Sequence, residues 1–128
     1  MRLTVKTDYC LRVLIHLQKN KSKVKIQQIA DEYHISKNHL SVAVNALSEI
    51  GYVLSTPGPK GGIEFNPAVA EKTIAELITK LEDMSLVECM GAENQCTLTP
   101  HCKLKGMLKK ASNAFINELK NYKIKDLT

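Results

Sequence analysis

Residues 25 to 50, KIQQIADEYHISKNHLSVAVNALSEI, hold two short helical patterns with almost no linker between them. In the first, Ile26, Ile29, Ala30 and Tyr33 fall on one face. The second starts at Ser36 and turns Leu40, Ala43, Val44, Leu47 and Ile50 inward. Helices joined this tightly cannot lie antiparallel, so they cross as a helix-turn-helix. Ala30 is small where the pair must approach, Ile35 plugs the turn, and Gly51 ends the second helix. Ser36 caps that helix. Its exposed turns then carry Lys37, Asn38, His39, Ser41 and Asn45. With Ser36 these supply the amides, hydroxyls, imidazole and cation that contact base edges and phosphates in a major groove. A helical hairpin with a solvated polar face is the alternative.

The following residues favour the first reading. YVLSTPGPKGGIEF, residues 52 to 65, is a strand, a Gly/Pro turn and a second strand. Helix-turn-helix plus hairpin is the winged-helix arrangement. Lys60 stands at the loop tip, placed to reach a phosphate. Gly58, Gly61 and Gly62 permit a tight turn and a close approach to DNA. The loop lacks the Lys-Ser/Thr ending of a nucleotide-binding P-loop.

Upstream, residues 5 to 18 place Tyr9, Val13, Leu14 and Leu17 at helical spacing with Thr4 as a cap, and KNKSKVK reads as a basic polar connector. Downstream, TIAELITKLED sets Ile74, Leu77, Ile78 and Leu81 on one helical face. A longer helix runs from about Leu104 to Tyr122. Leu104, Leu108, Ala111, Phe115 and Tyr122, joined by Met107, Ala114 and Leu119, make a broad apolar stripe. It is read as a dimerisation helix, with an intramolecular core helix as the alternative. A dimer would set two recognition helices about one DNA turn (~34 Å) apart on double-stranded DNA.

The fold class is therefore mainly α: a winged helix-turn-helix with a two-stranded wing and a long C-terminal dimerisation helix. At 128 residues one domain is expected, or one domain with a short appendage. Residues 1 to 66 form the DNA-binding region, and 67 to 128 carry a cysteine loop and the dimerisation helix. The first region holds nine Lys or Arg against five Asp or Glu, and the second nine against eight. A basic first half suits a nucleic-acid partner. No apolar run approaches the roughly 18 to 20 residues of a membrane span, and the opening MRLTVKTDYC lacks the apolar core of a signal peptide. A cytoplasmic protein without a membrane partner is expected. Nothing pairs a nucleophile with a base, so no enzyme is expected; His16 and His34 read as surface imidazoles.

Cys89, Cys96 and Cys102 lie within fourteen residues, separated by six and then five. In a reducing compartment such clusters more often bind metal than pair. The spacing lacks the close Cys-x2–4-Cys pairs of zinc ribbons and the Cys-x2-Cys runs of bacterial ferredoxins. Three thiolates on a loose loop suit an iron–sulfur cluster, with a fourth ligand from His101, Glu88, Asp8 or Cys10. Unligated thiols and a redox disulfide stay open, as does a small electron carrier.

Five segments, in order, resemble the NsrR/IscR-type family of iron–sulfur winged-helix regulators: TDYCLRVLIHL at 7 to 17, IQQIADEYHISKNHL at 26 to 40, ALSEIGYV at 46 to 53, GPKGG at 58 to 62, and LVEC at 86 to 89. The similarity spans essentially the whole chain and stands nearer to the nitric-oxide-sensing NsrR branch. It implies a homodimeric repressor whose 4Fe–4S cluster takes three Cys from one subunit and an Asp from the first helix of the other. A 2Fe–2S cluster, or none after purification, is the alternative cofactor state. Asp8 stands at the matching position, and favourable interaction with its own helix dipole is its other role. Relatives governing cluster biogenesis carry a His where this chain has Lys105, which tilts the implied signal toward nitric oxide; iron, cluster status or thiol redox state is the alternative. Many members carry Arg at the position of Pro57, and Glu64 adds an acidic group, so Lys60 is left to carry the wing's DNA contact. Cys10, on an apolar helix, reads as a core thiol.

Overall fold

A computed structural model describes residues 1–128. The order is α1 (Val5–Lys19), α2 (Ile26–Tyr33), α3 (Lys37–Glu49), β1 (Val53–Thr56), β2 (Gly62–Phe65), α4 (Ile74–Leu81) and α5 (Lys103–Leu119), with short 3-10 turns between and after them. No helix is long and apolar enough to cross a membrane. The chain forms two compact units, Met1–Lys72 with Lys123–Thr128, and Thr73–Tyr122. This differs from a division at residue 66, because the turn Pro67–Val69 and the C-terminal residues belong to the first unit.

In the first unit α1 starts at Thr4, whose hydroxyl accepts the Thr7 N–H at 3.3 Å. Cys10, Val13, Leu14 and Leu17 are buried on one face of α1, which packs on α3 through Leu40, Ala43, Val44 and Leu47. The Cys10 Sγ–H donates to the Ala43 carbonyl at 3.5 Å, and burial pushes this thiol up to about 12. It is a core thiol held protonated and inert. His34 ends α2 in the left-handed conformation, φ 56°, and both its N–H and that of Ile35 donate to the Ala30 carbonyl. That left-handed residue is what lets α3 leave at a crossing angle after so short a link. Ser36 then caps α3, accepting the His39 N–H at 3.2 Å.

The wing pairs Val53 with Phe65 through to Thr56 with Gly62. Two sequence expectations change here. KNKSKVK is more than a polar connector, because Val24 is buried and bridges Ile63 through hydrogen bonds of 2.9 and 2.8 Å. Gly61 and Gly62 have an intrachain reason to be glycine. A Cβ on Gly61 would overlap the Thr56 carbonyl oxygen, and one on Gly62, at φ 154°, would lie 2.7 Å from the Val24 oxygen. Gly62→Ala is therefore expected to destabilise the first unit by about 1–3 kcal/mol. A urea midpoint unchanged from wild type would show that the Val24 bridge tolerates the extra carbon.

His16 also departs from its expected surface role. It is 6% exposed, with Nδ1 3.0 Å from the Glu32 carboxylate and its ring edge-on to Tyr33. The imidazole thus ties α1 to α2. The C-terminal residues return to the same unit: Ile124 is fully buried, its N–H donates to Lys72 O at 2.9 Å, and Lys125 N–H donates to Ala70 O at 3.1 Å. Gln18 donates to the Ile124 carbonyl at 3.1 Å. Lys123 and Lys125 close on Glu71 at 2.5 and 2.6 Å and hold its carboxyl down to about 2.

In the second unit Thr73 caps α4, accepting the Glu76 N–H at 3.1 Å, and Ile74, Ala75, Leu77 and Ile78 are buried while Leu81 is only half-buried. α4 packs against α5. The long helix stops at Leu119, earlier than its apolar spacing predicts. Tyr122 lies in the turn beyond, where its carbonyl accepts the Ile74 N–H at 2.8 Å. Its place in the stripe is thus outside the helix.

Candidate nucleic-acid interface and thiol loop

α3 presents Lys37, Asn38, His39 and Asn45 to solvent and leaves Ser41 half-buried. Ser36 is spent on the cap through its lone pair, which leaves its hydroxyl hydrogen available as a donor. The start of α3 faces the start of α2 and the wing across a groove of about 510 Å³, lined by Lys25, Gln27, Lys37, Ser55, Thr56 and Gly58. Lys25 crosses to the wing and donates to the Gly58 carbonyl at 2.8 Å. This contact, invisible in the sequence, pins the hairpin turn to the helix-turn-helix. Lys60 is exposed at the same turn. Lysines on three elements therefore border one surface, a suitable setting for a phosphate backbone.

The thiols lie in the second unit. Cys89 sits in the 3-10 turn Glu88–Met90, Cys96 in an irregular stretch, and Cys102 at the N-cap position of α5. All three are free and half-buried. The segment is shaped by short-range bonds: Ser85 Oγ–H donates to Met90 O at 3.1 Å, Cys96 N–H to Asn94 Oδ1 at 2.9 Å, and Thr99 Oγ–H to Cys96 O at 2.8 Å. No three His, Cys, Asp or Glu side chains converge at metal-binding distance. The donor set fits an iron–sulfur group chemically, with three soft thiols on a segment of short turns that ends at the start of α5. Of the other candidates, Glu88 and His101 are exposed, and Cys10 is fully buried and bonded to the Ala43 carbonyl.

Asp8 lies in the first turn of α1, and Arg12 holds both of its oxygens, Nε and Nη2 each at 3.1 Å. The family resemblance marks Asp8; the pair adds Arg12, four residues on. Along α5, Leu104 and Met107 are 56% and 62% exposed, Ala111 is exposed, and Leu108, Phe115 and Leu119 are half-buried. Only Ser112 is buried on this helix.

The winged helix and thiol loop can be set beside known proteins. A regulator named HTH-type transcriptional regulator NsrR from Bacillus licheniformis is 44% identical over 99% of this chain and 92% of its own length. A protein of the same name from Shouchella clausii is 40% identical over 99% of this chain and 88% of its own. Among solved structures, the oxidised form of Staphylococcus aureus CymR superposes with a TM-score of 0.75 at 24% identity, over 99% of this chain and 95% of that one, and so shares the fold. These relatives are named as regulators, and the chain is no enzyme. The Rrf2 model, described as an iron-dependent transcriptional regulator, matches residues 3–128, and the chain belongs to the Rrf2 family of transcriptional regulators.

Proposed function

We propose that the protein is a homodimeric repressor that binds operator DNA through α3 and the wing and reports nitric oxide through an iron–sulfur cluster. The observation that carries this reading is the loop of three free thiols, Cys89, Cys96 and Cys102, in an Rrf2 chain. Those thiols would hold the group, with Asp8 of a second copy as fourth ligand. When bound, it supplies iron that is open to a small molecule where the ligand is a carboxylate, harder and more readily displaced than thiolate.

The chain's own residues define what such a state asks of it. Arg12 occupies both Asp8 oxygens, so ligand duty requires that pair to open. The pair is about half exposed and of i,i+4 type, worth only about 0.3–0.5 kcal/mol. It delays nothing thermodynamically. Cys102 opens α5, so a change at this thiol bears on the first turn of the helix that carries Leu104 and Met107. In a dimer those side chains find cover, and the spacing of the two α3 helices sets operator affinity. A switch then needs two arrangements that differ in their DNA contacts.

The test is anaerobic purification with iron and sulfide counts, mass in solution, and nitric oxide titration while the protein is bound to duplexes it selects from a random pool. Expected are a dimer, about four irons per subunit, and release of DNA by nitric oxide. Asp8→Ala should fold normally and lose that response; an unchanged response removes Asp8 from the ligand set. Iron availability is the second reading, favoured by the family's description as iron-dependent. Release of DNA on iron chelation, with indifference to nitric oxide, would select it.

A further inference from the structure

The outward face of α3 is formed by Asn38, Val42, Asn45 and Glu49, at intervals of four, three and four residues, all of them exposed. Val42, in the middle of this face, is 56% exposed. Polar character does not pick it out. A β-branched residue lowers helix propensity, and a lone surface valine ordinarily needs no explanation. Its position here gives it one.

One turn to either side of Val42 stand the side-chain amides of Asn38 and Asn45. Amides pair with the N6 and N7 edge of adenine, and the one apolar feature that a major groove offers is the C5 methyl of thymine. The two chemistries belong together, because every A·T pair presents both. Recognition helices insert their N-terminal residues, and Asn38 and Val42 lie in the first two turns of α3. The face carries no arginine, the side chain best suited to guanine; its one carboxylate, Glu49, is two turns past Val42 at the end of the helix.

We infer that Val42 is a specificity-determining residue that packs on a thymine methyl in an A·T-containing half-site, while Asn38 and Asn45 read adenine edges beside it. This rests on the reading of α3 as the recognition helix.

The test uses the full chain and the duplexes it selects from a random pool. Each thymine of the half-site is replaced in turn by uracil, which removes the methyl and nothing else. Wild-type protein should lose about fourfold in affinity at one thymine. Val42→Ala, which keeps or improves the helix, should bind the thymine duplex about as weakly and show no further loss with uracil at that position. A flat uracil series for wild type, a Val42→Ala protein that keeps the wild-type sensitivity, or selected sites without an A·T pair overturns the assignment. Asn38→Ala and Asn45→Ala separate the two levels. If they weaken binding while the uracil series is flat, only the Val42 assignment fails. If neither weakens binding, α3 is not the reading helix and both fail.

Discussion

Replacing Cys96 with alanine is expected to lower the iron retained by anaerobically purified protein at least about tenfold, since even the outer partners of metal ligands are worth that much. Cys89→Ala and Cys102→Ala should behave alike. Cys96 is half-buried in an irregular stretch and its backbone is held by Asn94, so the stability of the metal-free protein should move by no more than about 0.5 kcal/mol. The combination matters more than either number. A folded, DNA-binding protein that has lost both iron and its response to nitric oxide ties the thiols to sensing. Cys10→Ala is the control: that thiol is fully buried and bonded to Ala43, so its loss should cost stability and leave iron unchanged. Equal iron in all four variants would remove the loop from the metal-binding role.

Ile124→Ala should be among the most destabilising single changes outside the helices. The side chain is fully buried, and its backbone is bonded on both sides to Lys72 and Gln18. Large-to-small substitution at such a site costs about 2–5 kcal/mol, read as a lowered urea midpoint at unchanged slope. Lys125→Ala, which removes only one exposed partner of Glu71, should cost far less. The Glu71 clamp adds a pH signature. Its carboxyl is held below its ordinary 4.5, at about 2, so its contribution is present above pH 4.5 and is lost as pH falls toward 2. Solvent exposure keeps that contribution small. A midpoint for Ile124→Ala close to wild type would mean that the C-terminal turn is detached in solution.

The parts of the fold legible in the sequence are those set by local rules. α3 carries a serine cap, a 3.6-residue apolar period and a glycine stop, and all three are where the sequence puts them. The spacing of the thiols can be read, whereas their convergence depends on distances that spacing does not contain. Val24 stayed hidden because one apolar residue among lysines becomes a strand position only beside Ile63, thirty-nine residues away. The His16–Glu32 pair and the Lys25–Gly58 contact likewise depend on how two elements meet. Tyr122 misled by continuing an apolar rhythm past the end of its helix. Periodicity reports which residues share a face and says nothing about where the backbone stops obeying it.

The return of Ile124 to the winged-helix unit has a consequence for the order in which the protein is made. That unit is built from two separate stretches, with all of Thr73–Tyr122 lying between them in the chain. A ribosome therefore synthesises every cysteine of the thiol loop and the whole of α5 before it supplies the side chain that fills the last gap in the DNA-binding core. The nascent winged helix emerges with that gap open. A fragment ending just before Ile124 therefore keeps every thiol proposed to sense and lacks the buried side chain that completes the winged-helix core.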